Sequence, residues 1–357
     1  MVFRLNIALF RTSTMSWIQA LFAAMLFGIS TPLSKQLLME FHPFLLASLF
    51  YLGAALVLLP PGIYYQFKSP MRQISKSDIL NLAGSLFFGG MVGPVLLLYG
   101  LKLTAATNAS LLLNLETPAT TLLAVWIFKE NIGRITTVAN IGIVAAGAIL
   151  TFQGTIYPGM GGILIALACI AWGLDNNHTA SIHSIDAVRC TFLKGITFGS
   201  VNFLIATRFV KGWPSFDAIG WALLIGAFCY GLSIVLYINA ARRLGASRSQ
   251  MVFASAPFFG VAASQFYLGE QFQFYQLLSM LLLIAMLLVL FTEKHTHVHE
   301  HSPMGHTHRH RHDDLHHDGH HAAESAIPQK AHIHFHTHER LVHRHLHLPD
   351  LHHRHDH

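Results

Sequence analysis

Residues 106–130 read ATNASLLLNLETPATTLLAVWIFKE, and residues 245–270 read GASRSQMVFASAPFFGVAASQFYLGE. Both blocks open on small polar residues, carry a proline midway (Pro118, Pro257) and end on a glutamate (Glu130, Glu270). The proline-to-glutamate spacing is 12 in the first and 13 in the second, and the blocks lie about 140 residues apart. Each is followed by one last apolar stretch. A bilayer core needs ~20 largely apolar residues per helix, and ten stretches of the chain qualify: 16–35, 44–65, 79–100, 105–128, 135–153, 160–179, 187–208, 216–240, 247–268 and 273–292. The offset between the blocks therefore equals five helices, and the chain reads as two five-helix halves, 16–153 and 160–292. Five is an odd number of crossings, so the second half starts on the opposite side of the membrane and the repeats are inverted. Alternating-access carriers are commonly built on this plan, with the site near the midplane where the halves meet. The expected fold is an all-α integral membrane protein. Gly28, Pro32, Gly93, Pro94, Pro118 and Pro257 fall inside the stretches. They would break a soluble helix, but a bundle tolerates them because neighbouring helices satisfy the freed backbone groups.

Composition agrees. The chain is 53% hydrophobic and only 11% charged, against roughly 25% charged in an ordinary soluble protein. The charges are also unevenly spread: seven of the 23 Lys and Arg, and nine of the 17 Asp and Glu, follow residue 292. Two compositional regimes meet there, separating the helical region from a tail, 293–357. Residues 1–15 form a short N-terminal segment. A net charge of +6 could suggest a nucleic-acid partner, but that needs a basic stripe on a soluble fold, and here the basic residues sit in short gaps between apolar runs. The partners expected instead are the lipid bilayer and a small-molecule or metal-ion substrate. No nucleophile–base pair or phosphate loop points to an enzyme. Cys169, Cys190 and Cys229 lie far apart in or beside apolar runs, with no CxxC pair, and imply no disulfide framework. Arg4 and Arg11 precede an apolar stretch that continues past Leu26 without a small-x-small cleavage site. That reads as a retained first helix, with Met15 as an alternative start.

Basic loops are retained in the cytoplasm. The N-terminus and even-numbered gaps hold Arg4, Arg11, Lys68, Arg72, Lys76, Lys129, Arg134, Arg189, Lys194, Arg242, Arg243 and Arg248, whereas the odd-numbered gaps hold Lys35, Lys102, Arg208 and Lys211. Both termini are therefore expected in the cytoplasm.

The two blocks quoted above, with Gly28 and Gly173 midway along the first and sixth helices, resemble the EamA-type members of the drug/metabolite transporter superfamily over residues 16–292. More narrowly, NLE at 114–116, FKEN at 128–131 and GLDNN at 173–177 look like one bacterial subgroup of that family. The resemblance implies a bacterial inner-membrane carrier that exports small solutes through a central cavity lined by both halves. It does not specify the cargo.

Charge at membrane depth is expensive, ~2.5–3.5 kcal/mol on insertion scales, and marks functional candidates. In the fourth stretch Asn114 and Glu116 precede Pro118, whose missing N–H frees a backbone carbonyl near Asn114. A carboxylate, an amide and a free carbonyl within one turn could bind a cation or a proton; the alternative is a protonated Glu hydrogen-bonded for packing. The sixth stretch ends in Asp175, Asn176, Asn177 and His178. Asp175 and His178 are three apart, on one helical face, and could form a carboxylate–imidazole pair that ligates metal or relays protons. The alternative is a polar cytoplasmic helix end. Glu130 and Glu270 recur in both halves at helix ends, which favours capping or bracing over substrate contact. Aromatic residues read as lipid belt or packing.

After residue 292 come 23 of the 26 histidines. Nineteen of them fall, mostly as alternations, in five runs: His295, His297, His299, His301; His306, His308, His310, His312; His332, His334, His336, His338; His343, His345, His347; and His352, His353, His355, His357. In an extended chain i and i+2 point the same way, so alternating imidazoles line one edge. Neutral imidazole suits Zn, Ni, Cu and Co, and a pKa near ~6.5 leaves it mostly unprotonated at neutral pH. Low apolar content predicts a segment disordered without metal. No cofactor is required for the helical region; divalent metal bound by the tail is the expectation. Three readings follow: an exporter of a divalent transition metal ion or its complex, an exporter of an amino acid or other metabolite with a regulatory or incidental tail, and a membrane-anchored metal store or sensor.

Overall fold

The computed structural model describes residues 2–68, 75–128, 133–152, 159–182, 184–244 and 252–291, and in the tail 295–301, 304–310, 332–338 and 341–347. The chain divides into two compact units, a helical one reaching Glu293 and a second, Lys294–Pro349.

In the helical unit, α1 spans Val2–Leu37 and α2 Pro43–Lys68. Helix α3 runs Lys76–Phe87, widens into a π segment at Phe88–Val92 and resumes over Gly93–Leu103. Helix α4 runs Ala106–Leu112, tightens into a 3-10 turn at Leu113–Leu115 and continues over Glu116–Phe128. Then come α5 (Arg134–Phe152), α6 (Met160–Ala180) and α7 (Ala187–Ala206). Helix α8 is Phe216–Ile225, a second π segment at Gly226–Leu232, and Ser233–Leu244; α9 is Ala256–Leu268 and α10 Phe274–Phe291. Among the described residues, seven helices are long and apolar enough to cross a membrane: Met15–Leu37, Pro43–Pro60, Lys76–Leu103, Ala106–Ile127, Arg134–Phe152, Met160–Thr179 and Phe216–Tyr237. Phe274–Leu290 is apolar but shorter.

The surface is apolar where a soluble protein's would be polar: Trp126, Phe216 and Phe266 are each more than 85% exposed. Contiguous apolar surface on this scale is suited to lipid. The interior packs Leu46, Phe50, Leu98, Leu111, Ile143, Ile165 and Leu283, all essentially fully buried.

The helix pairings carry a two-fold pattern. Helix α2 packs on α7 and α5 on α10, each on its own counterpart five helices away, while α1 packs on α8 and α9 as α6 packs on α3 and α4. Exchanging each helix for the one five places along maps these contacts onto themselves. Gly28 allows one such contact: a Cβ there would collide with the Ala256 carbonyl of α9.

The prolines act differently from one another. Pro94 has no N–H for the Gly90 carbonyl, and the π segment just before it leaves that oxygen to Asn202 Nδ2 of α7 at 3.1 Å. The Tyr51 hydroxyl of α2 donates to the adjacent Gly89 carbonyl. Side chains thus satisfy what the wide turn releases. Pro257, expected midway along a span, instead lies in the first turn of α9, where its missing N–H would be unpaired anyway. Residues 247–251 of that expected span lie outside the described residues.

In the second unit, β1 (His295–His301) pairs antiparallel with β4 (Leu341–His347), and β2 (Met304–His310) with β3 (His332–His338). The sequence expectation for this segment was disorder without metal. The alternation read as metal-ligand spacing is also the period of a strand, and Val298, Ile333, Phe335 and Val342 favour that state.

Candidate transport site

The site forms where α3 and α4 of the first half meet α6 and α7 of the second. Asp175, Asn176, Asn177 and His178 lie within the last turns of α6, and Asp175 and Asn177 are buried. Asn177 Nδ2 donates to its own helix at Gly173 O (2.8 Å) and across to Thr120 O (3.0 Å). Gly173 lets α4 approach: a Cβ there would meet the Ala119 and Thr120 backbone at 3.0 Å. Asn176 Nδ2 donates to Glu116 Oε1 at 2.8 Å and Thr120 Oγ1 at 3.2 Å. The Glu116 carboxylate therefore hangs between the two halves, half-buried.

Asp175 carries a denser set of contacts. Its Oδ1 accepts from Ser85 Oγ of α3 (2.6 Å), Thr179 Oγ1 (3.1 Å) and Lys194 Nζ of α7 (2.7 Å), and its Oδ2 lies 2.6 Å from the same ammonium. Both side chains of the pair are only 12% exposed. A Cβ on Gly89, in the π segment, would fall on this carboxylate. His178 instead places Nδ1 3.1 Å from Asn81 Oδ1 and stacks on Phe88 at 6.3 Å.

The structure places the expected site residues as follows. Asp175, expected to face His178, is ion-paired with Lys194, because Lys194, counted as a loop charge, sits two turns inside α7. Of the set expected within one turn of α4, Glu116 is held by Asn176 of α6, while Asn114 Nδ2 turns back to Leu111 O at 3.3 Å. Pro118 is buried in α4, one turn after the 3-10 segment Leu113–Leu115 that takes up the backbone change its ring imposes.

An aromatic cluster was missed. Phe27 of α1 lies 6.4 Å from Trp172 of α6, 5.9 Å from Tyr230 of α8 and 5.4 Å from Phe253, which in turn lies 4.9 Å from Tyr237 of α8. Tyr237 lies in the neighbourhood of Glu116. Aromatic residues from both halves thus line the region beside the carboxylate. Spacing within single helices carried no signal for this, since each helix contributes only one or two rings.

At the opposite end of the unit, Glu270 accepts from the Ala106 and Thr107 N–H groups at 2.7 and 2.8 Å, capping α4 from the second half. Lys35 donates to the Leu101 and Thr104 carbonyls at 2.7 Å each, closing the end of α3. Glu270 therefore braces a helix end, while Glu130 lies outside the described residues. Beside this end, a cavity of about 230 Å³ is lined by residues including Glu40, His42, Lys102 and Lys211. Burial, with Lys102 nearby, pushes the His42 imidazole below its usual range.

Of the tail histidines, His312, His316, His317, His320, His321, His352, His353, His355 and His357 lie outside the described residues. The remainder lie on the four strands.

The model of the EamA-like transporter family matches residues 14–153 and again 159–292. The chain belongs to the EamA-like transporter family. As an EamA-like chain it is a membrane transporter whose two matches divide it into two repeats. An uncharacterized transporter from Methanothermobacter thermautotrophicus is 26% identical over 299 residues, covering 77% of this chain and 85% of the relative. A solved crystal structure of a protein shares the fold, with a TM-score of 0.57 at 15% identity, covering 77% of this chain and 94% of that one.

Proposed function

We propose that this EamA-like protein is a secondary transporter that exports a small organic solute by alternating access. On this reading ten spans form two inverted five-helix halves in a bacterial inner membrane, with both termini cytoplasmic. Glu116, Asn176, the Asp175–Lys194 pair and the Phe27–Trp172–Tyr230 aromatics line the path. The observation that carries the cargo reading is the ion pair. Asp175 is neutralised by Lys194, so this part of the path offers no bare negative charge to a metal cation; it offers a balanced pair, hydroxyls and ring faces. Such a lining suits a neutral or zwitterionic molecule of amino-acid type.

The histidine density of the tail favours a second reading, in which the cargo is a divalent transition metal or its complex. The tail binds Zn, Ni, Co or Cu on either reading. As exporter of an organic solute, the protein would use the tail as a regulatory element; as metal exporter, as a collector. A store or sensor anchored by its helices has no use for the intramembrane Glu116.

Purified protein in liposomes, tested for counterflow of a panel of amino acids and for Zn²⁺, Ni²⁺ and Co²⁺ flux, separates these readings. Organic counterflow that falls at least ~10-fold in Glu116→Gln, the size of one lost charge-assisted contact, is the expected result. Metal flux that depends on Glu116 would replace the organic cargo with metal, and no flux of either kind would leave the store.

A further inference from the structure

At the end of the helical unit where Lys35 and Glu270 brace α3 and α4, a second set of charges surrounds the cavity of about 230 Å³. Pro43 opens α2, so the chain leaving α1 turns within a few residues, and the Glu40 and Phe41 N–H groups donate to the Leu37 carbonyl at 3.0 and 2.9 Å as it does so. Glu40 and His42 reach the cavity from this turn, Lys102 from the last turn of α3, and Phe209 and Lys211 from the segment after α7. His42 fastens the three together. Its Nε2 lies 3.3 Å from the Tyr99 hydroxyl of α3, and its ring stacks on Phe44 of α2 at 5.9 Å and on Phe209 at 5.1 Å.

Leu38, Phe41 and Leu45, each at most 5% exposed, give the cavity apolar walls. With them stand the ammonium groups of Lys102 and Lys211 and the carboxylate of Glu40, and among the described residues none of these three has an ion-pair partner. Charges beside low-dielectric walls draw complementary charge more strongly than charges in open solvent. Two cations and one anion around one cavity select a molecule that carries both an anionic group and an ammonium. The volume is below the ~300–1,000 Å³ of drug-sized sites, so that molecule is small. We propose that this cavity binds a small zwitterion, its anionic group held by Lys102 and Lys211, its ammonium by Glu40 and its apolar part by the Phe209 ring. On the proposed orientation this face points away from the cytoplasm, which makes the cavity an exit station for the exported solute. The ligand class rests on the organic-cargo reading given above. A free amino acid and the headgroup of phosphatidylethanolamine share this chemistry.

Gly212 lines the same cavity, and a Cβ there would meet nothing within 4 Å, so Gly212→Cys adds a thiol without disturbing the walls. Cys169, Cys190 and Cys229 are buried. The test follows alkylation of Gly212→Cys by a charged maleimide, in the full chain in phospholipid-free detergent, with leucine as the probe. Leucine slows the reaction, and its half-protecting concentration rises ~3-fold in Lys102→Gln, in Lys211→Gln and in Glu40→Gln, and ~10-fold when both lysines are changed, the size of partly exposed ion pairs acting additively. Protection by 4-methylpentanoate, which lacks the ammonium, weakens with the lysine variants and ignores Glu40→Gln; protection by 3-methylbutylamine, which lacks the carboxylate, does the reverse. A general lesion would weaken all three probes alike. Protection by phosphatidylethanolamine micelles and not by leucine, with the same charge dependence, keeps the zwitterion site and names a lipid as its occupant. If no probe protects, or protection ignores all three charges, the site is overturned. Amino-acid counterflow, measured on the same protein in liposomes, separates the two readings: counterflow without protection leaves the exporter and overturns the site, and protection without counterflow leaves the site and overturns the exporter.

Discussion

Removing the ammonium from the Asp175–Lys194 pair tests the centre of the site most directly. In Lys194→Met the stem of the side chain remains, but a carboxylate that is 12% exposed loses contacts of 2.6 and 2.7 Å. Breaking a buried pair by removing one partner typically costs about 3–5 kcal/mol, because the survivor is left charged and uncompensated. Asp175 keeps Ser85 and Thr179 as donors, which places the loss near the lower end, about 3 kcal/mol, or roughly 100-fold in the folded-to-unfolded ratio. At roughly 2 °C per kcal/mol for a unit of this size, the melting temperature in detergent falls by roughly 6 °C. Adding Asp175→Asn removes the stranded charge and keeps an acceptor for Ser85, so the double variant recovers at least half of the loss. Because the pair is buried, the deficit changes little between low and high salt. Thermal unfolding followed by tryptophan fluorescence, at two salt concentrations, reads all of this. A neutral Lys194→Met, or a double variant less stable than the single one, would refute the reasoning.

Gly89→Ala puts a Cβ onto the Asp175 carboxylate, so its melting temperature should fall about as far as that of Lys194→Met, and the two losses should not add when combined. Glu270→Ala removes two charge-assisted bonds to the α4 N-terminus; a loss of about 2 kcal/mol in the same assay is expected, with Glu270→Gln losing less because its amide oxygen can still accept. Deleting residues 294–349 should leave the melting temperature of the helical unit within ~2 °C, since Lys294–Pro349 form a separate compact unit and independent sites contribute additively.

How much of this was legible beforehand follows from which signals are local. The duplicated proline and glutamate blocks, the apolar runs and the compositional break near residue 292 are properties of consecutive residues. Glu116 and the Asp175–His178 run stood out for the same reason: a polar group inside an apolar stretch is anomalous wherever its neighbours in space turn out to be. The bracing role of Glu270 was readable from its recurrence, though not the helix end it braces.

Partnership was not legible. Lys194 looked like a loop charge because chain position alone cannot tell a basic residue at a helix entrance from one two turns inside, facing a carboxylate 19 residues earlier. That Asn176 would reach Glu116 was not readable from either segment; the crossing of α4 and α6 at Gly173 brings them together. The aromatic cluster draws on α1, α6, α8 and the approach to α9, so no single segment carries its pattern. In the tail the histidine alternation was plain, yet which histidine faces which depends on strand register. The amino-acid sequence by itself determined a membrane-embedded, duplicated helical chain with a histidine-rich appendage, because burial in lipid and internal repetition are written residue by residue. Only the tertiary structure decided which charges neutralise each other and which carboxylate stays available, because those pairings depend on distances between helices far apart in the chain.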